Sequence, residues 1–369
     1  MLKWMPVGLL AFALAGCLSE SSKPQQHVTL PAFCTTPDGM AIDPQGRLVI
    51  ACPNFADPSK PACLLRMSKP GEAAYRWVNV PAMRETGVAA PMGIDFGPEG
   101  ELYVCDNQGW SGTPQGQFKG RLLKLTFANN TIETITVVAS GMEHPNGVRV
   151  RGNDIYVTQS MLSKVKTPSG KLVSAVYRFK RGDKNIRVSN TLNDATLLVT
   201  FETQNPFCQY GVDGLVFDSK GNLFVGNFGD GTLHKLTFDA GKMTSNTLFA
   251  KTDFDARLDP KKPGFLTQAT RAKMRTTDGL CIDTQDNLYV ADFSNNAIAK
   301  VTPAGILSVL WQNGDTDGST GLLNQPGEPI VWKNQLIVSN FDAVFGKDHP
   351  DKVNTQHDTP CTLSVLPLK

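Results

Sequence analysis

Short apolar runs recur along the chain in pairs, each pair split by a tight polar turn. The first run alternates, as in Met40 and Ile42 or Ile94 and Phe96, and the second is continuously apolar, as in Leu48-Val49-Ile50 or Leu102-Tyr103-Val104. Alternation over a few residues marks a strand with one covered face; an unbroken run of similar length marks a strand covered on both. Between the runs lie Asp43-Pro44-Gln45-Gly46, Gly97-Pro98-Glu99-Gly100 and Asp218-Ser219-Lys220-Gly221, turn sequences whose final glycine tolerates positive φ. Each pair therefore predicts a β-hairpin. Further β-like segments follow, such as 121–126 and 134–138, which makes four strands per unit.

Aligned on a glycine, the unit recurs at Gly39, Gly93, Gly147, Gly214, Gly279 and Gly327, at spacings of 54, 54, 67, 65 and 48 residues. Repeats of that length are blades or solenoid units. An open solenoid needs capping repeats, and none stands out. Six radial four-stranded sheets can bury their faces against one another, so the pattern predicts an all-β, six-bladed β-propeller with antiparallel blades over residues 31–369. Segment 259–274 is the best candidate for a short helix or a cap over one face. Segments 108–120 and 159–174 are long loops of the kind that lie where function sits.

Composition fits this reading and narrows the partner. Hydrophobic residues make up 41% of the 369-residue chain, with 33 glycines and 24 prolines, enough for a full core and many turns. The formal net charge is +2, and no basic run alternates with aromatics, which argues against a nucleic-acid groove. A small molecule is the expected partner, and a monomer the expected state.

Residues 1–16 join Lys3 to an apolar stretch from Val7 to Ala15 that is too short to span a bilayer. Leu14-Ala15-Gly16-Cys17 resembles the lipobox of bacterial lipoproteins, which implies cleavage before Cys17 and acylation of its thiol. An ordinary secretory signal is the alternative. Residues 17–30 then read as a lipidated cysteine and flexible tether, and several acyl chains would hold the protein on a membrane. Leu18 in place of aspartate favours, by the same resemblance, the outer membrane facing the periplasm. An exported chain can oxidise its cysteines. A Cys52–Cys63 bridge would close the proline-rich loop 53–61, and a Cys34–Cys361 bridge would clasp the two ends of the ring. Cys105 and Cys281 fall in strand patterns and read as buried thiols.

The start of the first strand and the end of the second strand of a hairpin lie on the same face of the ring. Two polar sets are thereby expected to converge. The first is Asp38, Met92, Asn146, Asp213, Asp278 and Glu328, the last standing in for an aspartate if Pro329 takes the glycine's place. The second is Asn54, Asp106 or Asn107, Gln159, Asn227, Asp292 and Asn340. Carboxylates crowded round one channel raise one another's pKa, and a bound cation relieves the conflict. Hard oxygen donors without interleaved histidine or thiolate favour Ca²⁺, with Mg²⁺ or another divalent cation the alternative. Any single Asp-Gly or Asn-Gly is a turn dipeptide; the set on one rim is a candidate metal site.

These motifs resemble the senescence-marker-protein/gluconolactonase family, six-bladed propellers with a divalent cation at one end of the central channel. Gly327-Glu328-Pro329-Ile330-Val331-Trp332 resembles that family's Glu-Gly-Pro-Val-Trp strand with its ligating Glu, and His144-Pro145-Asn146-Gly147 its Pro-Asn-Gly strand with a ligating Asn. Asp213-Gly214-Leu215-Val216-Phe217-Asp218 resembles its Asp-Gly strand, whose Asp is ligand and proposed general base. The order agrees if the family's first blade is this chain's last. The resemblance implies calcium-dependent opening of a sugar-acid or related lactone, with Glu328, Asn146 and Asp213 as ligands; the rim read from the repeat adds Asp278 and Asp38 about the metal. Asp213 or Asp278 would deprotonate water. His144, two residues from Asn146 and so on the same strand face, and Asn227 are candidate accessories.

The chain departs from the family at Pro91-Met92, where an Asn ligand is expected, and at Asp38 and Asp278, where the family often has neutral residues. Paraoxonases and diisopropylfluorophosphatase share the plan, and a Cys34–Cys361 clasp resembles that of the former. Gly-x-Ser-x-Gly, His-Glu-x-x-His and a phosphate-binding glycine loop are absent. The rival reading is a lipid-anchored propeller that only binds a small ligand or protein partner; a strictosidine-synthase-like activity, which does not use the metal rim, is a third.

Overall fold

The computed structural model describes residues 23–110, 112–255, 258–259, 261–343 and 354–368. The signal segment and Cys17 lie outside them. Six antiparallel sheets form the blades of a β-propeller, each with four strands from the axis outward apart from one addition to the second. The innermost strands are Met40–Ile42, Pro91–Phe96, Pro145–Arg151, Val212–Phe217, Leu280–Ile282 and Pro326–Trp332. Ile186–Arg187 adds a short parallel strand to the outer edge of the second blade. In segment 259–274 a single helical turn, Phe265–Ala269, forms.

The hairpin turns follow from their side chains. Asp43 Oδ1 accepts hydrogen bonds from the amides of Gln45 and Arg47 at 3.0 and 2.9 Å, and Asp218 and Asp283 do the same in the fourth and fifth blades. Gly46, Gly100 and Gly221 close their turns at φ +76°, +84° and +87°. The second strands are buried on both faces, as their unbroken apolar runs imply. Leu102 and Val104 meet Ala41, Val49 and Leu64 of the first blade, whereas Tyr103 and Cys105, one residue on, meet Val148 and Val157 of the third. The core is thus a set of layers between blades rather than one central mass.

The axis itself is lined by glycines. A Cβ on Gly39 would lie 2.9 Å from the Cα of Gly93, one on Gly93 2.8 Å from the Cα of Gly147, and one on Gly147 2.7 Å from the Asp213 carbonyl oxygen. On Gly214 it would lie 2.8 Å from the Leu280 nitrogen, and on Gly279 2.6 Å from the Gly327 carbonyl oxygen. No side chain fits such gaps, so backbone meets backbone from blade to blade. The sixth blade differs from the sequence-based expectation. Pro326 pairs with Asn340 and Pro329 with Val338, just as Val212 pairs with Asn227 and Leu215 with Val225. Gly327 therefore occupies the register of Asp213, and Glu328 that of Gly214. Pro329 does not replace the glycine; the glutamate does.

The ring is closed by strand pairing. Gln25–Thr29 pairs antiparallel with Thr362–Pro367 and forms the outermost strand of the last blade, and the Leu30 amide donates to the Cys361 carbonyl at 2.8 Å. This corrects the described part of the expected tether, 23–30; residues 17–22 lie outside the described residues. The strand is exposed along much of its length, like the outermost strand Tyr75–Asn79, so it carries no apolar signature. Both expected disulfides are also corrected. The disulfide among the described residues joins Cys34 to Cys52, leaving Cys63 and Cys361 as buried thiols, like Cys105 and Cys281. Cys52 and Cys63 do face each other in register across two strands, and all four of Cys34, Cys52, Cys63 and Cys361 share one core cluster. Sequence position could not choose among sulfurs brought so close together.

If this closure holds the ring, a chain starting at Pro31 melts about 10 °C or more below one starting at Lys23, as expected for losing a strand worth several kcal/mol. Equal melting temperatures by calorimetry would show that the N-terminal strand is dispensable.

Candidate functional site

The two polar sets turn out to have different tasks. At the ends of the second strands the side chains bend back and hold the segment that leads into the same blade. Asn54 Oδ1 accepts from the Thr35 amide at 2.9 Å, Asp106 Oδ1 from Ala90 at 2.8 Å, and Gln159 Oε1 from Glu143 at 2.9 Å. Asp292 accepts from the amides of Arg275 and Thr276 at 2.7 and 2.9 Å, and Asn340 from Asn324 at 3.0 Å. Asn227 differs in detail, taking the Thr203 hydroxyl at 3.1 Å. These are structural clamps. Asn227 accordingly does not line the cavity described below, and its candidacy as an accessory is not supported by its position.

The set at the first strands does face the channel. Asp38, Asn146, Asp213 and Asp278 line the floor of one cavity of about 650 Å³, with Met92 and His144 beside them. Their backbones are fixed by neighbouring blades: Ser339 Oγ donates to the Asp38 carbonyl at 2.8 Å, Thr158 Oγ1 to that of Asp213 at 2.5 Å, and the Gly214 amide to that of Asp278 at 3.2 Å. With the main chain committed, the side chains project into the mouth.

Glu328 does not join them at the cavity floor. From its glycine register its carboxylate meets Arg149, whose Nη2 lies 2.6 Å from Oε1. Arg149 starts on the third blade and reaches across the lumen, where Nη2 also donates to the Leu280 carbonyl of the fifth blade at 3.1 Å. The guanidinium is a strut between opposite sides of the ring. Nothing local in the sequence marks it, because its partner lies 179 residues away.

Burial dominates the acidity of the floor. Asp38 is pushed up to about 8 by burial and then by the charge of Glu328. Asp213 and Asp278 are raised well above the ordinary carboxylate range by burial and by the other carboxylates, and they hydrogen-bond to one another. Glu328 is raised by burial, an effect that Arg149 opposes. His144 is lowered to about 4 by burial, so its ring is neutral at ordinary pH. Three carboxylates and an amide form a hard-oxygen donor set of the kind a divalent cation takes, and such an ion would relieve their mutual repulsion. Among the described residues no three His, Cys, Asp or Glu groups stand as a ready-made cage. The donor chemistry fits a hard cation; as placed, Asp213 and Asp278 are paired with each other and Asn146 with the Tyr210 hydroxyl.

Above the floor the wall is aromatic, which the sequence reading missed. Phe228 and Phe293 lie 5.8 Å apart between ring centroids, Phe293 and Phe341 5.7 Å, and Phe341 and Phe55 6.2 Å. Phe55 stacks on Trp110 at 3.8 Å, and on the other side Phe228 continues to Tyr210 at 5.6 Å and Tyr210 to His144 at 6.0 Å. A signal was present: the residue after the clamp is phenylalanine in Asn54-Phe55, Asn227-Phe228, Asp292-Phe293 and Asn340-Phe341. When the clamp folds back, the next side chain is thrown over the channel mouth.

No known family profile matches the chain, and no curated protein matches it. Solved structures do. A gluconolactonase from Xanthomonas campestris is 13% identical with a TM-score of 0.53, covering 93% of this chain and 94% of its own. Regucalcin from Agrobacterium tumefaciens, a calcium-binding protein, is 11% identical with a TM-score of 0.54 over 94% and 92%. An aldose sugar dehydrogenase from Streptomyces coelicolor, bound to PQQ, is 13% identical with a TM-score of 0.55 over 94% and 98%. These likenesses agree with the propeller that the motifs resemble, and at such identities they establish the fold alone.

Two measurements test the electrostatics. A carboxylate raised in the fold binds protons that the unfolded chain releases, so between pH 4 and 8 the native state holds more protons and stability falls as pH rises. In chelator the slope should be on the order of 1 kcal/mol per pH unit for each such group, and Asp38→Asn should flatten it; an unchanged slope contradicts the assignment. Arg149→Met, which strands Glu328, should cost about 3–5 kcal/mol in urea unfolding. Adding Glu328→Gln should recover much of that loss, whereas a single-variant cost below about 1 kcal/mol would remove the strut from the account.

Proposed function

We propose that the protein is a divalent-cation-dependent hydrolase that opens a lactone, with Ca²⁺ as the cation. The observation that carries this reading is the convergence of Asp38, Asn146, Asp213 and Asp278 on the floor of one deep cavity at the mouth of the channel. The gluconolactonase and calcium-binding neighbours with this fold favour it. Rotation of the aspartate side chains away from one another would present their oxygens to the ion, with the Asn146 carbonyl as a neutral fourth donor.

When bound, the cation would polarise the lactone carbonyl and stabilise the negative charge that develops on its oxygen. The chain's own residues do the rest. Asp213 or Asp278 accepts a proton from the attacking water, which requires the carboxylate to be ionised, the form that the charge of a bound cation favours. The water oxygen bonds to the acyl carbon, the ring carbon–oxygen bond breaks, and the proton returns to the departing ring oxygen to give a hydroxy acid. His144, neutral and buried, borders the reacting volume and orients Tyr210 through its edge contact. The lipid on Cys17 would hold this mouth near a membrane.

Ligand capture without turnover is the second reading, and the aromatic wall serves it equally well. A panel of lactones followed by pH-stat titration separates the two. Turnover should require added Ca²⁺ and vanish in chelator, and Asp213→Asn and Asp278→Asn should each lower kcat by about 100-fold or more while the chain stays folded by circular dichroism. Lactone binding with no acid released, in Ca²⁺ at millimolar concentration, would defeat the hydrolase and leave the binder.

A further inference from the structure

We infer that the cavity selects lactones with an apolar substituent over polyhydroxylated sugar-acid lactones; this rests on reading the site as lactone-opening. A sugar lactone presents several hydroxyls, and each needs a hydrogen-bond partner once water is excluded. The wall above the carboxylate floor supplies few. Trp110, Met161, Phe207, Phe228, Phe293 and Phe341 line it. Its polar side chains are largely committed elsewhere. Gln209 donates to the Asn205 carbonyl at 2.5 Å and accepts from the Leu172 amide at 3.1 Å. The Tyr210 hydroxyl accepts from Asn146 Nδ2 at 3.3 Å. Of the buried polar side-chain atoms in this wall, only His144 Nδ1 lacks a partner among the described residues.

Stacking faces alone do not decide the matter, because sugar rings also stack on aromatic side chains. The decisive difference is satisfaction. A hydroxyl buried without a partner loses its water and gains nothing, whereas an alkyl or aryl substituent gains from every methylene removed from water. The wall is also continuous: the ring contacts run unbroken from Trp110 through Phe55, Phe341, Phe293 and Phe228 to Tyr210. Phe207, 46% exposed, extends the apolar surface to the rim, where a substituent on the lactone ring would leave the floor and meet it.

Six-membered lactones test this: the alkyl members share one intrinsic reactivity, and glucono-δ-lactone, whose hydroxyls make its carbonyl more electrophilic, is compared after its uncatalysed rate is divided out. With the full chain in Ca²⁺, kcat/KM should rise from δ-valerolactone through δ-octalactone to δ-decalactone by about 3- to 5-fold per methylene until the wall is covered. Glucono-δ-lactone should fall about 100-fold or more below δ-decalactone. Phe207→Ser, at an exposed position that the fold tolerates, should shrink the ratio of δ-decalactone to δ-valerolactone by about 5-fold or more. A flat chain-length series, or glucono-δ-lactone as the better substrate, overturns the inference and leaves lactone hydrolysis standing. No turnover of any member overturns the hydrolase reading, and this inference with it.

Discussion

At the axis, six inner strands touch main chain to main chain, and this contact governs what the rest of the ring can do. Gly39, Gly93, Gly147, Gly214 and Gly279 each leave a gap too small for a methyl group. Because the strands approach so closely, the residue just before each glycine is held at the channel mouth with its carbonyl engaged by a neighbouring blade, as at Asp38, Asp213 and Asp278. The carboxylate floor is therefore a geometric consequence of the glycine collar. Where the collar lacks a glycine, at Glu328, a charge enters the lumen instead, and Arg149 crosses the channel to meet it. A buried ion pair of this sort contributes little net stability against an apolar alternative, but neither partner can be left alone.

That pairing leaves the floor uncompensated. Arg149 answers Glu328, while Asp38, Asp213 and Asp278 feel one another's charge with no cationic side chain beside them among the described residues. The clamp residues, by contrast, show how the same side-chain types become inert. All but Asn227, which takes the Thr203 hydroxyl, have a backbone amide of their own lead-in segment within reach, so their polar atoms are spent on holding the blade. A carboxylate is structural when main-chain donors hold it in place, and it is available for chemistry when burial and neighbouring acids outweigh the donors it has, as at Asp38, which keeps only the Gly39 amide.

Much of this was legible before any coordinates. The strand pairs, turn residues and sixfold repeat specify a propeller because each reports a local periodicity, and Asp38, Asn146, Asp213 and Asp278 were readable as a set because they share one position in the repeat. The misread features depend on relations that periodicity does not carry. Glu328 reads as the aspartate's stand-in when Pro329 takes the glycine's place, and only the pairing of Pro326 with Asn340 and Pro329 with Val338 moves it one position on, into the glycine register. Arg149 acts across the ring, and the cysteines share one cluster where several pairings are near in space. Gln25–Thr29 reads as a tether because an outermost strand needs no apolar face. The phenylalanine after the clamp was visible four times, yet its meaning depends on knowing that the clamp turns back.

The aromatic wall and the acidic floor are coupled, not merely adjacent. Two like charges about 4 Å apart repel by about 1 kcal/mol in water and about 4 kcal/mol at the effective dielectric of a protein site. By excluding water, Phe228, Phe293, Phe341 and Tyr210 strip the three aspartates of solvent and move their mutual repulsion toward the second regime, and both effects, burial first, raise their proton affinities. The same exclusion strengthens attraction to a cation by the same factor, and it strengthens the field felt by any carbonyl drawn down to the floor. Replacing the wall with polar residues would therefore weaken the demand for a counter-charge and the use made of it together. Wall and floor are two parts of one electrostatic device, and the repeat builds both from neighbouring strand ends: the position before the glycine for the acid, and the position after the clamp for the ring.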